Sequence, residues 1–296
     1  MTFHDIVFAS DIAIRDRSEL LPIDALDQFS AGMYRSLWQH VMAPGHLKAR
    51  ESFLAKNIGP LERRHPCKCV CFVFGPGEDE DDRATTRIGG LPFWPATRSW
   101  PTDQDGSPKE FIAQFDFRNV QWPESLPGDV LTVHFDWEGD EEPFGNANDG
   151  DATLVWHDFE TTSELIEPHL LPFPIDGTTQ IGPYYSQPVL VTDYQSDWAE
   201  SAQALTIHGV KIGGHPPLYG DNWPELNSDV QKPVFLCSIG TILPEEAEEE
   251  KNCWLPSKLN DPLNNTNCLQ FPGMAVFVVV YPQGNPDDLR WMIYLP

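Results

Sequence analysis

Basic residues are scarce in this chain: 19 Lys and Arg stand against 45 Asp and Glu, a formal net charge of −26 over 296 residues. A field of that sign repels phosphates and attracts cations, so nucleic acid and anionic membranes are poor partners and a basic protein is the expected one. Long apolar runs are missing as well. No stretch reaches the roughly 18 residues that a membrane helix needs. The opening MTFHDIVFASDIAIRDR has no basic region ahead of a long apolar segment, which predicts no signal peptide. The expected location is the cytoplasm, with Cys67, Cys69, Cys71, Cys237, Cys253 and Cys268 as reduced thiols. Catalytic signatures are lacking too: there is no G-x-S-x-G elbow, no H-E-x-x-H, no G-x-G-x-x-G and no Gly-Lys-Ser/Thr phosphate loop. No cofactor is called for, and a non-catalytic role is favoured over an enzyme.

What is present is an ordinary globular composition, 41% hydrophobic and 22% charged, with one excess. Proline occurs 28 times, well above the usual share of about 5%, which marks stiff loops between short elements. Leu26, Phe29, Met33, Leu37 and Val41 form one apolar stripe at helical spacing, widened by Tyr34 and Trp38 and stopped by Pro44-Gly45. A second helical stretch from His46 to Asn57 ends at Gly59-Pro60. Beyond it the period changes. Runs rich in β-formers recur at 67–74, 111–117, 129–137, 152–158, 188–193, 203–210, 233–239, 274–281 and 288–294. The expected class is α+β: N-terminal helices over 1–65, a first β-rich half over 66–195 and a second over 196–296, joined as one compact domain.

The two halves are expected because the sequence repeats. Arg87-Ile88-Gly89-Gly90-Leu91-Pro92 returns as Lys211-Ile212-Gly213-Gly214-His215-Pro216, about 124 residues on. Each copy runs on to Trp-Pro, at Trp100-Pro101 and Trp223-Pro224, and then to a strand, from Phe111 and from Val234. A Pro-Gly then opens a further strand, at Pro127-Gly128 and Pro272-Gly273, with the second half longer by about twenty residues around EEAEEEKNCWLPSKLNDPLNN. Duplicated halves facing each other across a shared core would place Gly89-Gly90 and Gly213-Gly214 in equivalent turns.

The segment Thr86–Asp116, TRIGGLPFWPATRSWPTDQDGSPKEFIAQFD, resembles the signature of the YwqG-like proteins, a mainly bacterial family of unknown function. Gly89, Gly90 and Pro92, then Trp100-Pro101, Asp105-Gly106, and Phe111, Gln114 and Asp116 carry the resemblance, and Leu126-Pro127-Gly128 continues it. The likeness covers about residues 67 to 293 and departs ahead of the last strands, where NCLQFPGMAVFVVVY replaces a Gly-Asp-x-Gly stretch. It implies a duplicated α+β fold and brings no activity with it.

The turn glycines Gly89, Gly90, Gly213 and Gly214 are read as corners that the fold needs twice, since a ligand loop has little reason to appear in both halves. Around them Trp94, Trp100, Trp223 and His215 are the candidate recognition residues, because aromatics with a polar tip dominate binding patches. Gln114 and Asp116 are candidates for a ligand site between the halves. Cys67, Cys69 and Cys71 alternate and share one strand face, without the C-x₂₋₄-C spacing of zinc sites, and are assigned to the core rather than to a metal. Asp103 to Ser107 lacks the acidic twelfth ligand of a calcium loop and reads as a hairpin turn, as does Asn146 to Asp151. His134 and Asp136 share a strand face and, with His157, form a conceivable acid-base cluster, although nine histidines make such coincidences common. The acidic runs Glu78–Asp82, Glu138–Glu142 and Glu245–Glu250 are expected as solvated loops, with one shared electronegative surface as the alternative. Two functions follow from this reading. One is a non-catalytic acidic module that binds a basic protein, such as a toxin or nuclease that it neutralises. The other is an enzyme or small-ligand binder with its site in the cleft between the halves.

Overall fold

Short runs of β-branched and aromatic residues, punctuated by Pro and Gly, favour strands joined by stiff corners, and the computed structural model of the chain is built that way. It describes residues 13–14, 67–75, 82–136, 144–146, 150–172, 184–193, 210–216, 233–240 and 276–294. Among the described residues the fold is mainly β, with two antiparallel sheets, no α-helix and one 3-10 turn at Pro168–Leu170. The expected helices at 24–43 and 46–57 and the expected strand at 203–209 lie outside the described residues, and mainly β is the class of the described part.

The strands are β1 (Ala13–Ile14), β2 (Cys67–Gly75), β3 (Arg87–Ile88), β4 (Glu110–Asp116), β5 (Val120–Gln121), β6 (Val130–Phe135) and β7 (Phe144–Asn146). They continue as β8 (Ala152–His157), β9 (Tyr184–Asp193), β10 (Lys211–Gly213), β11 (Pro233–Gly240), β12 (Val276–Pro282) and β13 (Arg290–Tyr294). β1 and β5 form a two-stranded ribbon. The other strands form an 11-stranded sheet in the order β7-β13-β12-β11-β10-β2-β9-β3-β4-β6-β8.

That order reads the same way outwards from its centre. β2 and β9 pair in the middle over nine residue pairs, Cys67 opposite Asp193 through Gly75 opposite Tyr185. Outside β9 come β3, β4, β6 and β8; outside β2 come β10, β11, β12 and β13. Registers correspond as well. Arg87 faces Gln114 while Lys211 faces Ser238, and Ile88 faces Ala113 while Ile212 faces Cys237. Even the irregularities match: the β4–β6 register shifts between Phe111 and Ala113, and the β11–β12 register between Phe235 and Cys237. Gly89 and Gly90 have φ of 63° and 70°, Gly213 and Gly214 of 67° and 81°, so both corners use the left-handed backbone that glycine permits.

One core cluster draws on both arms of the sheet, including Phe115, Leu131 and Val133 from one and Leu236, Phe277 and Trp291 from the other. Each such fully buried side chain contributes about 1.5–3 kcal/mol. The arms curl towards each other, because Phe135 on β6 meets Phe277 and Trp291 at ring distances of 6.3 and 6.1 Å. The Trp122 indole N–H, buried, also donates to Tyr281 Oη at 2.7 Å. Cys67, Cys69 and Cys71 sit in this interior, Cys69 and Cys71 with sulfurs 3.7 Å apart, and burial pushes the Cys69 thiol well up.

Gly214 is the tightest point of the second corner. A Cβ there would lie 2.8 Å from both Cys69 Cβ and Asp193 Oδ2, whereas one on Gly106, at φ +87°, would meet nothing within 4 Å. Gly106→Ala then carries only the left-handed backbone cost of about 1–2 kcal/mol, and Gly214→Ala adds an overpacking cost of about 1–3 kcal/mol. Urea unfolding of the two variants is expected to show the larger loss for Gly214→Ala; equal losses would contradict the close packing described.

Candidate functional site

Each Gly-Gly corner exposes a carbonyl four residues after the basic residue that opens the motif, and that residue's own side chain reaches forward to it. Arg87 Nη1 donates to Leu91 O at 3.1 Å, and Lys211 Nζ to His215 O at 2.5 Å. Arg87 is 1% exposed and Lys211 0%. Arg87 Nη2 adds Asp82 O and Thr85 Oγ1, both at 3.1 Å. Lys211 Nζ instead meets the Asp193 carboxylate at 2.7 Å, and Asp193 Oδ2 also accepts from the His215 backbone N–H at 3.0 Å. The turn glycines and His215 are thereby parts of two buried corners.

Gln114 has a comparable task in the first half. Its Oε1 accepts from Phe93 N–H at 2.7 Å and its Nε2 donates to Arg83 O and Thr85 O at 2.6 and 2.7 Å, tying the 83–93 loop onto β4. Asp116 holds Arg118 at 2.7 Å and accepts from the Arg118 backbone N–H, while burial raises its carboxyl pKa against the opposing pull of Arg118. Asp103 Oδ1 accepts from the N–H groups of Asp105 and Ser107, both at 2.8 Å, which closes the expected hairpin turn.

Trp94 is 1% exposed and its indole N–H donates to Arg98 O at 3.0 Å. Its ring is met edge-to-face by His134 at 4.9 Å and His157 at 5.0 Å, and lies 5.4 Å from Trp100. Trp100 is half-buried, donates to Lys109 O at 2.8 Å and also meets His134 edge-to-face. Trp94, Gln114 and His215, nominated as contacts for a partner or ligand, are therefore interior residues with backbone partners; Trp100 lies at the margin, and Trp223 lies outside the described residues. Of the conceivable acid-base trio, His134 and His157 do come together around Trp94. Asp136, half-buried just past β6, is engaged through its N–H with Asp151 O at 2.8 Å.

Both imidazoles are neutral. Burial pushes His134 well below the usual value, helped by His157, Lys109 and Arg98, and pushes His157 down to about 3, helped by Arg98. His157 Nε2 shares a 3.0 Å hydrogen bond with Thr132 Oγ1. On the outer side of this layer is a cleft of about 310 Å³ lined by Pro95, Arg98, Trp156, His157, Asp158 and Glu164 together with neighbouring hydroxyl residues. Neither the cleft nor the exposed segment beside it was among the sequence candidates; single polar residues in a loop carry no periodic signal.

The corresponding positions of the second arm are differently filled. Ser238 stands where Gln114 does, Val278 where Thr132 does and Val280 where His134 does, by their pairing with Lys211, Ser238 and Phe235. The polar inner layer is thus a property of the first half.

The neutral histidines set a pH dependence. The unfolded chain takes up these protons near pH 6.5 and the folded chain does not, so stability is complete above that value and is lost as pH falls, for His157 towards about 3 and for His134 in the same direction. Each histidine contributes a slope of up to about 1.4 kcal/mol per pH unit within its window. Denaturant titrations at pH 7.0, 5.5 and 4.5 are expected to give a shallower acid loss for the double variant His134→Leu/His157→Gln than for the parent chain. Parallel losses would show that these imidazoles are not buried neutral.

No curated protein matches the chain. A family model does: it covers residues 86–255, which takes in the first Gly-Gly corner, the polar layer, the cleft and the second corner. By that match the chain belongs to the DUF1963 family, whose domain is one of unknown function.

Proposed function

We propose that the protein is a non-catalytic acidic binding module that recognises a basic protein partner, a basic toxin or nuclease that it neutralises being the kind of target its charge suits. The Thr86–Asp116 signature supports a YwqG-like assignment within the family, and the cytoplasm is the proposed location. One observation carries the reading. Among the described residues the exposed large hydrophobics are Phe159, at 39%, and Leu170, at 59%. Both fall in 158–170, a segment with Asp158, Glu160, Glu164 and Glu167 and neither Lys nor Arg. Exposed apolar side chains on an acidic segment are an arrangement that can combine interface energy with electrostatic steering.

The segment is also held in place, so little ordering cost is left for binding. Ile166 N–H donates to Trp94 O at 2.8 Å and Ala96 N–H to Glu164 O at 3.0 Å. Phe159 N–H donates to Asp129 Oδ2 at 3.0 Å; its ring stacks on Phe93 at 5.8 Å and lies under the Arg118 guanidinium at 4.3 Å. The other reading, a catalytic or small-ligand site between the halves, has weaker support, because Gln114 and Asp116 are already engaged with the protein's own backbone and Arg118.

Surface plasmon resonance with a purified basic partner tests the proposal. The association rate should fall steeply as the Debye length shrinks from about 30 Å at 0.01 M salt to about 3 Å at 1 M. Glu160→Gln/Glu167→Gln should slow association several-fold with little change in dissociation. Leu170→Ser should act mainly on dissociation. Rates indifferent to salt and to all three substitutions would reduce the acidity to a solubility feature.

A further inference from the structure

The cleft and the acidic segment share residues: Asp158, Thr161, Thr162, Ser163 and Glu164 line the former and belong to the latter. We propose that this cleft is a receptor pocket for one basic side chain of the partner, a Lys ammonium or an Arg guanidinium, a reading that rests on the acidic-module function. At about 310 Å³ the cleft is at the small end of ligand pockets, which suits a single side chain better than a cofactor.

Its chemistry is asymmetric in the direction a cation requires. Two carboxylates, Asp158 and Glu164, oppose a single cation, Arg98. Arg98 is held in the wall of the cleft, its guanidinium 5.6 Å from the Trp94 ring centre and Nη1 donating to Trp156 O at 3.3 Å, so the carboxylates stay in excess by one charge. Asp158 is fixed by its own turn, Oδ1 accepting from Thr161 N–H at 3.1 Å and its carbonyl from Thr162 Oγ1 at 2.7 Å, so its charge is positioned before any ligand arrives. Pro95 supplies an apolar flank on which the methylene stem of Lys or Arg can lie while its head reaches the carboxylates. His157, in the same wall and 3% exposed, is neutral and adds no opposing charge.

Four blocked five-residue peptides that differ only at the centre, carrying Lys, Arg, norleucine or Glu, serve as probes for the full chain by isothermal titration. The Lys and Arg peptides are expected to bind about fivefold or more tighter than the norleucine peptide, with the Glu peptide weakest. Asp158→Asn, which keeps the turn acceptor, and Glu164→Gln should each remove most of that preference. Arg98→Gln gives the opposite sign: it should strengthen binding of the Lys peptide, whereas at an anion site it would weaken binding of the Glu peptide. Equal affinity for Lys and norleucine, a preference for Glu, or no Lys-peptide binding at millimolar concentration overturns the pocket. If those results appear while Glu160→Gln/Glu167→Gln still slows association of the whole basic partner, the pocket is wrong and the acidic surface stands. If that double variant also has no effect, the acidic-module reading falls with it.

Discussion

A buried cation closes each Gly-Gly corner, and much of the architecture depends on it. Two consecutive glycines at positive φ turn the chain so sharply that the following carbonyl leaves the β-ladder, and an interior carbonyl without a donor would cost about 1–3 kcal/mol. Arg87 and Lys211 supply the donor from inside the same motif. A buried charge needs partners of its own. Arg87 spreads its fork over Leu91, Asp82 and Thr85, while Lys211, a point charge, sits on the carboxylate of Asp193. Asp193 ends β9, and β9 pairs with β2 from Tyr185 to Asp193, so the corner of the second half is fastened to the central pair of the sheet. Removing one member of the buried Lys211–Asp193 pair would strand the other, which is far more damaging than the pair's net contribution suggests.

The same logic explains what the sequence disclosed. Alternating and β-branched runs announced eight strands within a few residues of their limits, since β-propensity and Pro or Gly boundaries act locally. The corners were visible because their cause, glycine at positive φ, is local too. The role of the basic residue was hidden, because nothing in the spelling Arg-Ile-Gly-Gly distinguishes a solvated guanidinium from one folded back over its own turn. Trp94 and Trp100 were nominated for recognition because an indole has an apolar body and a polar tip. That tip is equally served by a nearby carbonyl, Arg98 O for one and Lys109 O for the other, so Trp94 is interior and Trp100 half-buried beside it. Phe159 and Leu170 went unremarked for the converse reason: isolated apolar residues in a loop do not show which way they face.

The two arms of the sheet provide a comparison that a single domain would not. Positions that the fold requires recur in both: the basic residue, the two glycines, the phenylalanine at the bulge and the register around it. Positions that differ are those free of that requirement. Val278 and Val280 show that the sites of Thr132 and His134 can be filled by plain apolar side chains, with no desolvated imidazole and no hydroxyl to satisfy. The first half therefore bears a cost in stability that its counterpart avoids, since His134 is fully buried with neither ring nitrogen hydrogen-bonded. That polar layer holds Trp94, and Trp94 O holds Ile166. Through Ile166 and the Ala96–Glu164 bond it fixes the loop that carries Asp158, Glu160 and Glu164. A fold that needed only stability would have kept valine in both arms. The half that departs from that solution is the half whose polar layer holds the acidic loop with its exposed phenylalanine, so the stability cost and the placement of that loop belong to the same arm.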